Sequence, residues 1–214
     1  MLWYVVERTR AAKTLDEVIV ATTTQPADAA IVAFCGELGL GCFQGSEADV
    51  LDRYYQAGLQ EKADAVVRIT SDCPLIDPEV VDKVVEAFVL QKPDYASNSL
   101  VCTYPRGLDT EVMTFGALER AWTNARQPYQ RSHVTPYIYE NPAKFNLLSV
   151  TGEQDHSRYR WTVDTSEDLE FVRAVYARLE GKPSLFGDVL KLMEREPALA
   201  EINRSVSQKE LHEG

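Results

Sequence analysis

Two aspartates combine residue type and context in a way that could do chemistry. Asp72 follows the short apolar run from Asp64 to Thr70 by two residues, and Asp164 directly follows the run from Arg158 to Val163. If those runs are strands, both carboxylates fall at strand carboxyl ends, where open α/β sheets place their ligand crevice. A pair of carboxylates there suits Mg²⁺, which takes one or two protein carboxylates and completes its shell with water and substrate phosphates. Aspartates at strand ends also serve as plain helix caps and turn formers, so the pair is a better signal than either residue alone.

The elements that would position these residues follow from hydrophobic periodicity. Leu2, Val5, Val6 and Thr9 share one helical face, and Val18 to Ala21 is a β-branched run too short for a helix. Residues 27 to 38 repeat the helical pattern and stop at Gly39, a second short strand follows at GCF, and a helix spans 48 to 59 with Leu51, Tyr54 or Tyr55, and Gly58 inward. After the strand at 64 to 70, Asp77 reads as an N-cap and Pro78 as the first helical residue, ahead of Val81, Val84, Val85 and Phe88 at helical spacing. Strands alternating with amphipathic helices predict a parallel sheet covered on both faces. Residues 95 to 112 read as an excursion beside the sheet. A helix is expected near 117 to 125, followed by a His-Val-Thr-Pro turn. Residues 145 to 150 and 158 to 163 read as paired strands. Thr165 to Asp168 is a T-x-x-D capping box opening a helix with Leu169, Val172, Tyr176 and Leu179 inward, and a last helix spans 185 to 194.

The 214 residues suffice for one domain with a sizeable core; residues 1 to 204 read as that domain and 205 to 214 as a fraying polar tail. The balance of 33 acidic against 22 basic residues gives a net charge of -11, which opposes binding to a nucleic-acid backbone. Any phosphate-bearing substrate then needs a local cation or helix N-terminus. No apolar run is long enough to cross a membrane and no secretory leader is visible, so the expected location is the cytoplasm. Cys35, Cys42, Cys73 and Cys102 lack C-x-x-C spacing and the three histidines are scattered, which predicts reduced, mostly buried thiols and no zinc site.

The stretches VIVATTT, GSEADVLDRYYQA, ADAVVRITSDCPLIDPEVVD, YPRGLDTEV, SHVTPYIYENP and RWTVDTSEDLEFVR together resemble the spore-coat polysaccharide biosynthesis cytidylyltransferase family, related to the CMP-Kdo and CMP-N-acylneuraminate synthetases. The resemblance implies a nucleotide-diphospho-sugar transferase fold, a Rossmann-like three-layer α/β/α sandwich. It implies attack of a sugar hydroxyl on the α-phosphorus of CTP, with Mg²⁺ as cofactor and pyrophosphate as leaving group. Asp72 and Asp164 match the family's magnesium-holding aspartates, with Ser71 in place of a glycine; a positive φ there would strain a serine. Arg53 and Ser46 match positions near the nucleotide; for Arg53, a surface ion pair with Asp49 or Asp52 is an equal alternative. In YPRGLDTEV, Tyr104 offers a stacking face, Arg106 a carboxylate partner, and Asp109 and Glu111 acceptors for sugar hydroxyls; a turn leading into an edge strand explains the same residues. His133 is a general-base or substrate-contact candidate, or a helix-start histidine with its bond satisfied, and Trp161 reads as core. Relatives often form homodimers.

The front of the chain departs from the family. Relatives open with an apolar strand and a loop of the kind G-S-x-R-L-P-G-K that cradles the triphosphate, whereas here no glycine precedes Gly36. The chain is therefore expected to lack about thirty family residues, comprising a strand, loop and turn. The 18 to 21 and 64 to 70 strands would lack their shared neighbour, and CTP would bind weakly. A glycosyltransferase of similar fold, or an inactive fragment acting as a binding partner, are the competing readings; the absence of a D-x-D triplet at a strand end weakens the first.

Overall fold

The computed structural model describes residues 1–179 and 185–208. Helix α1 (Leu2–Arg10) precedes strand β1 (Ile19–Thr23), α2 (Ala29–Leu38), β2 (Gly41–Gly45), α3 (Val50–Gln60) and β3 (Ala65–Arg68). Then come α4 (Pro78–Gln91), β4 (Tyr95–Ser97), β5 (Glu111–Thr114), α5 (Phe115–Asn124), α6 (Pro128–His133), α7 (Pro136–Tyr139) and β6 (Leu147–Ser149). Helices α8 (Ser166–Arg178), α9 (Phe186–Arg195) and α10 (Ala198–Glu201) complete the described chain.

The strands form two sheets. β1 and β2 are a parallel pair, and the larger sheet has the order β3-β5-β4-β6. β5 runs antiparallel to both β3 and β4, while β4 and β6 are parallel. β3, β4 and β6 therefore end on the same edge, and that edge carries the loops of interest. Among the described residues β1 and β3 lie in different sheets, and each ends its sheet.

Strand residues alternate strictly between two cores, as the two-residue period of a pleated sheet requires. Val67, Ala96, Val112 and Leu148 pack with α1 and α4 through Val5, Val81, Val84 and Val85. Their chain neighbours Val66, Tyr95, Met113 and Leu147 pack on the opposite face with Leu51 and Tyr55 of α3, Leu118 of α5 and Ile138 of α7. These are the three layers of an α/β/α sandwich. A third cluster joins α8, α9 and α10 to Leu75, Leu108 and Trp161, the last fully buried as core.

Several local readings need correction. Tyr95–Ser97 is an interior strand of the sheet, not part of an excursion beside it; three residues buried on both faces give no alternation to read. The sheet is mixed, because β5 arrives after a long loop and enters antiparallel. Residues 158 to 163 form no strand and do not pair with 145 to 150; β6 pairs with β4, and Arg106 makes an isolated bridge to Arg160. In α8 Phe171, Val172 and Val175 are buried, and Tyr176 and the C-cap Leu179 pack against the same core from half-buried positions, while Leu169 is half-buried and not part of that cluster. The four thiols are free, with Cys35 and Cys73 buried and Cys102 exposed. Of the tail, residues 209 to 214 lie outside the described residues.

Helix α4 behaves as its sequence dictates and ties the site loops to the sheet. The Asp77 carboxylate accepts from the backbone N–H groups of Glu79 and Val80 at 2.8 and 3.1 Å, satisfying donors that a helix start leaves open. Its second oxygen accepts from the Phe186 N–H at the start of α9. Asp77→Ala is therefore expected to lower unfolding stability by about 1–2 kcal/mol, read as a fall in the denaturation midpoint with an unchanged m-value. A midpoint equal to wild type would show that the cap contributes nothing.

Candidate active site

The loop after β3 and the segment before α8 meet through their backbones. The carbonyl of Asp72 accepts from the Val163 N–H at 2.9 Å and from the Thr162 hydroxyl at 3.2 Å. Val163 immediately precedes Asp164, so residues ninety positions apart in the chain bring the two aspartates to one edge of the domain. Asp72 is half-buried, and its carboxylate receives a weak contact from the Cys73 thiol at 3.4 Å. The Asp164 side chain is 47% exposed and is held by Arg160. Among the described residues, positive φ at non-glycine positions occurs at Lys62, Lys92 and Val134, so Ser71 fits without the strain anticipated for it.

Asp164 is held by a residue that the sequence marks only as a cap. Asp168 is fully buried, and its carboxylate accepts from Arg160 at 2.9 and 3.0 Å, from the Asn203 side chain at 2.9 Å, and from the Asp164 and Thr165 backbone N–H groups at 3.0 and 3.1 Å. Burial pushes the Asp168 carboxyl up, but the hydrogen bonds from Arg160, Asn203 and Asp164 outweigh it and leave the group below the ordinary carboxylate value. Arg160 thus bridges Asp164 and Asp168, fixing the backbone from which Asp164 projects.

Ser46, in the loop between β2 and α3, meets Arg53 on α3. The Ser46 hydroxyl accepts from the Asp49 N–H at 3.0 Å, and its carbonyl accepts from Arg53 Nη1 at 3.3 Å. The ion-pair alternative for Arg53 is not realised among the described residues. Asp49 pairs instead with Arg131, and Asp52 accepts from the Trp122 indole at 2.8 Å and from Gln56.

The YPRGLDTEV residues separate into different environments. Gly107 has φ of +106°, and a Cβ there would lie 2.6 Å from the Thr162 nitrogen, so glycine is required where this segment crosses the one leading to Asp164. Tyr104 is buried; its hydroxyl accepts from Lys83 at 3.0 Å and its ring lies 5.6 Å from Phe186, lining a cleft of about 450 Å³ with His156. The Arg106 side chain is exposed. The Asp109 carboxylate accepts from the Gly107 N–H at 2.9 Å and lies within electrostatic reach of Arg106, Glu111 and Asp72; burial pushes its carboxyl up. Glu111 faces inward, where its oxygens accept from the Tyr95 and Thr135 hydroxyls, both at 2.6 Å, and from Arg68. Those donors occupy both Glu111 oxygens in a buried network, which suits it to positioning more than to an exposed acceptor role.

His133 ends α6 and is half-buried. Its carbonyl accepts from the Thr135 N–H at 2.9 Å across Val134, whose φ of +74° is a costly conformation for a β-branched residue. This tight turn aims Thr135 at Glu111. His133 is thereby tied through the backbone to the residue that serves the Glu111 network.

Sequence reasoning gave Asp168 only the part of a cap and Tyr54 that of a possible inward residue of its helix, and it did not mark Arg68. The T-x-x-D capping box was the one available signal for Asp168; Arg68 and Tyr54 gave none of a role at the site, because their partners are remote in the chain.

The Asp72 and Asp164 pair could hold a hard divalent cation. The donor set is oxygen only and one member is open to solvent, while the neighbouring sulfur, Cys73, meets Asp72 as a thiol donor. Among the described residues no group of three or more His, Cys, Asp or Glu residues is arranged to hold a metal, so such an ion would need substrate and water oxygens. No described helix is long and apolar enough to cross a membrane.

Comparison with known proteins gives a consistent answer. The family profile described as cytidylyltransferase matches residues 1–195. An uncharacterised protein, MJ1063, of Methanocaldococcus jannaschii is 40% identical over all of this chain and 87% of its own length. The spore coat polysaccharide biosynthesis protein SpsF of Bacillus subtilis is 30% identical over 88% of this chain and 79% of its own. The solved structure of a cytidylyltransferase from Leptospira borgpetersenii superposes with a TM-score of 0.90 at 30% identity, over 98% of this chain and 87% of that one. With its α/β/α architecture and two aspartates drawn to one sheet edge, this chain belongs to the cytidylyltransferase family, whose members are nucleotidyltransferases.

Proposed function

We propose that the chain transfers a cytidylyl group from CTP to a sugar hydroxyl, with Asp72 and Asp164 holding Mg²⁺. The observation that carries the reading is the backbone bonding that draws Asp72 against the segment ending in Asp164. In the reaction, the sugar oxygen forms a bond to the α-phosphorus as the bond from that phosphorus to the β-bridging oxygen breaks. Pyrophosphate leaves, and the hydroxyl proton passes to water or a base. Bound between the two aspartates, Mg²⁺ would supply the charge that offsets the growing negative charge on the phosphate.

The chain's own residues have separate tasks. Asp168 and Arg160 fix the orientation of Asp164, and Ser46 and Arg53 form the nucleotide side. Asp109, within reach of Asp72, takes the sugar-hydroxyl contact, with Arg106 beside it as partner for an acidic group. Similarity to the spore coat protein SpsF supports a product destined for surface or spore-coat polysaccharide. A cytoplasmic location, where CTP is available, fits this reading.

Incubation with CTP, Mg²⁺ and a panel of neutral and carboxylated sugars tests the proposal through pyrophosphate release. Release is expected to require both the ion and a sugar, and to be highest with a carboxylated sugar. Sugar transfer from a ready-made nucleotide sugar, without pyrophosphate release from CTP, would establish a glycosyltransferase instead.

A further inference from the structure

Two arginines at this edge keep buried donors without acceptors. Among the described residues, neither Arg53 Nε nor Arg68 Nε has a hydrogen-bond partner, although both atoms are shielded from solvent. Arg53 spends one Nη group on the Ser46 carbonyl, and Arg68 spends one on Glu111. Burying a cationic N–H without an acceptor is costly, and each such donor calls for an explanation, whether a water, an ion or a ligand.

Tyr54 lies within electrostatic reach of both arginines. It is half-buried on α3 next to Arg53, and its ring centre lies 6.0 Å from the Arg68 guanidinium carbon. Among the described residues its hydroxyl makes no hydrogen bond. Arg68, Glu111, Arg53 and Asp72 all act electrostatically on that hydroxyl, and burial pushes its pKa up, so it stays a neutral donor through the physiological range. A structural Arg–Glu pair alone would account for Arg68 Nη1. It would not account for the open Nε of either arginine or for the open Tyr54 phenol near them.

We propose that Arg53, Tyr54 and Arg68 form an oxyanion cradle beside Asp72. Its ligand is a group with several anionic oxygens, either a phosphate of the nucleotide or the carboxylate of the acceptor sugar; the assignment to substrate rests on the transfer reaction proposed above. Guanidinium forks match both groups in geometry. The two cations are balanced by Glu111 and Asp72, so the cradle discriminates by hydrogen-bond geometry more than by net charge. In a chain of net charge -11 it supplies the local donors that any phosphorylated or acidic substrate requires.

Calorimetric titration with tripolyphosphate, N-acetylneuraminate and neutral N-acetylglucosamine tests the cradle without relying on turnover. The chain should bind at least one of the two anions, and Arg53→Gln should weaken that binding about tenfold, with Tyr54→Phe weakening it about threefold. Arg68→Gln leaves Glu111 buried without its cation and is liable to unfold. The double variant Arg68→Gln/Glu111→Gln keeps a neutral hydrogen-bonded pair and should fold with the tenfold loss. Loss confined to tripolyphosphate assigns the cradle to the nucleotide, and loss confined to N-acetylneuraminate assigns it to the acceptor. Wild-type affinity for both anions in all folded variants overturns the proposal, as does failure of the chain to bind either. Those results leave the transfer reaction standing; conversely, variant-sensitive anion binding without pyrophosphate release would retain the cradle and remove the reaction.

Discussion

Exchange of Asp72 or Asp164 for asparagine is expected to reduce Mg²⁺-dependent pyrophosphate release by more than about 100-fold, because loss of groups merely supporting a metal ligand already costs 10–100-fold. Asparagine keeps the size and one oxygen of each side chain and removes the negative charge that a hard cation needs. Neither carboxylate is a structural keystone. Asp164 is 47% exposed with Arg160 as partner, and Asp72 receives only the weak Cys73 thiol contact; the bond to Val163 uses its backbone carbonyl, which the substitution leaves intact. Both variants should therefore melt within a few degrees of wild type while losing activity. Retained turnover in either would remove that residue from the mechanism.

Asp168→Ala is expected to have the largest effect on stability, about 3–5 kcal/mol, the usual cost of removing one partner of a buried charge pair. It strands the Arg160 guanidinium and leaves the Asp164 and Thr165 N–H groups and the Asn203 amide without their acceptor. The pH dependence follows from the direction of its pKa. Asp168 is more acidic in the folded chain than in the unfolded one, so its contribution is full above the ordinary carboxylate value near 4. It drains away as pH falls through the lower folded value. Wild type should lose stability steeply on acidification in that window, and Asp168→Ala should show a shallower loss. Denaturant midpoints measured across that range check both statements; identical slopes would deny Asp168 its role.

Short-range signals carried much of the architecture. Asp77 and Pro78 announce α4, Thr165 and Asp168 announce α8, and Gly39 closes α2 in the left-handed conformation its sequence position suggests. Each is a contact between residues two to four apart, which a linear reading can see. The errors arise where partners are remote. Tyr95–Ser97 is flanked by strands on both sides and buried on both faces, so it has no amphipathic signature. Residues 158 to 163 alternate like a strand, yet their backbone groups are spent on Arg106 and Asp72 instead of a neighbouring strand.

The site divides in the same way. Asp72 was marked by the strand run before it, whereas Asp164 was marked by a run that forms no strand; its place near Asp72 comes from the bonds of Val163 and Thr162 to the Asp72 carbonyl. The inward turn of Glu111 depends on Arg68, Tyr95 and Thr135, which come from three other parts of the chain. Tyr54 and Tyr55 looked equivalent from periodicity; Tyr55 packs between Phe115 and Trp122, and Tyr54 is left facing Arg68. Only the folded arrangement distinguishes them.

The central claim is that Asp72 and Asp164 together hold the divalent cation that accompanies CTP. Titration of Mn²⁺, a paramagnetic stand-in for Mg²⁺, against the chain in the presence of CTP tests it through the relaxation of water protons. A saturable enhancement is predicted for the wild-type chain and should disappear in both Asp72→Asn and Asp164→Asn, with circular dichroism unchanged. An enhancement of wild-type size in both variants would contradict the claim.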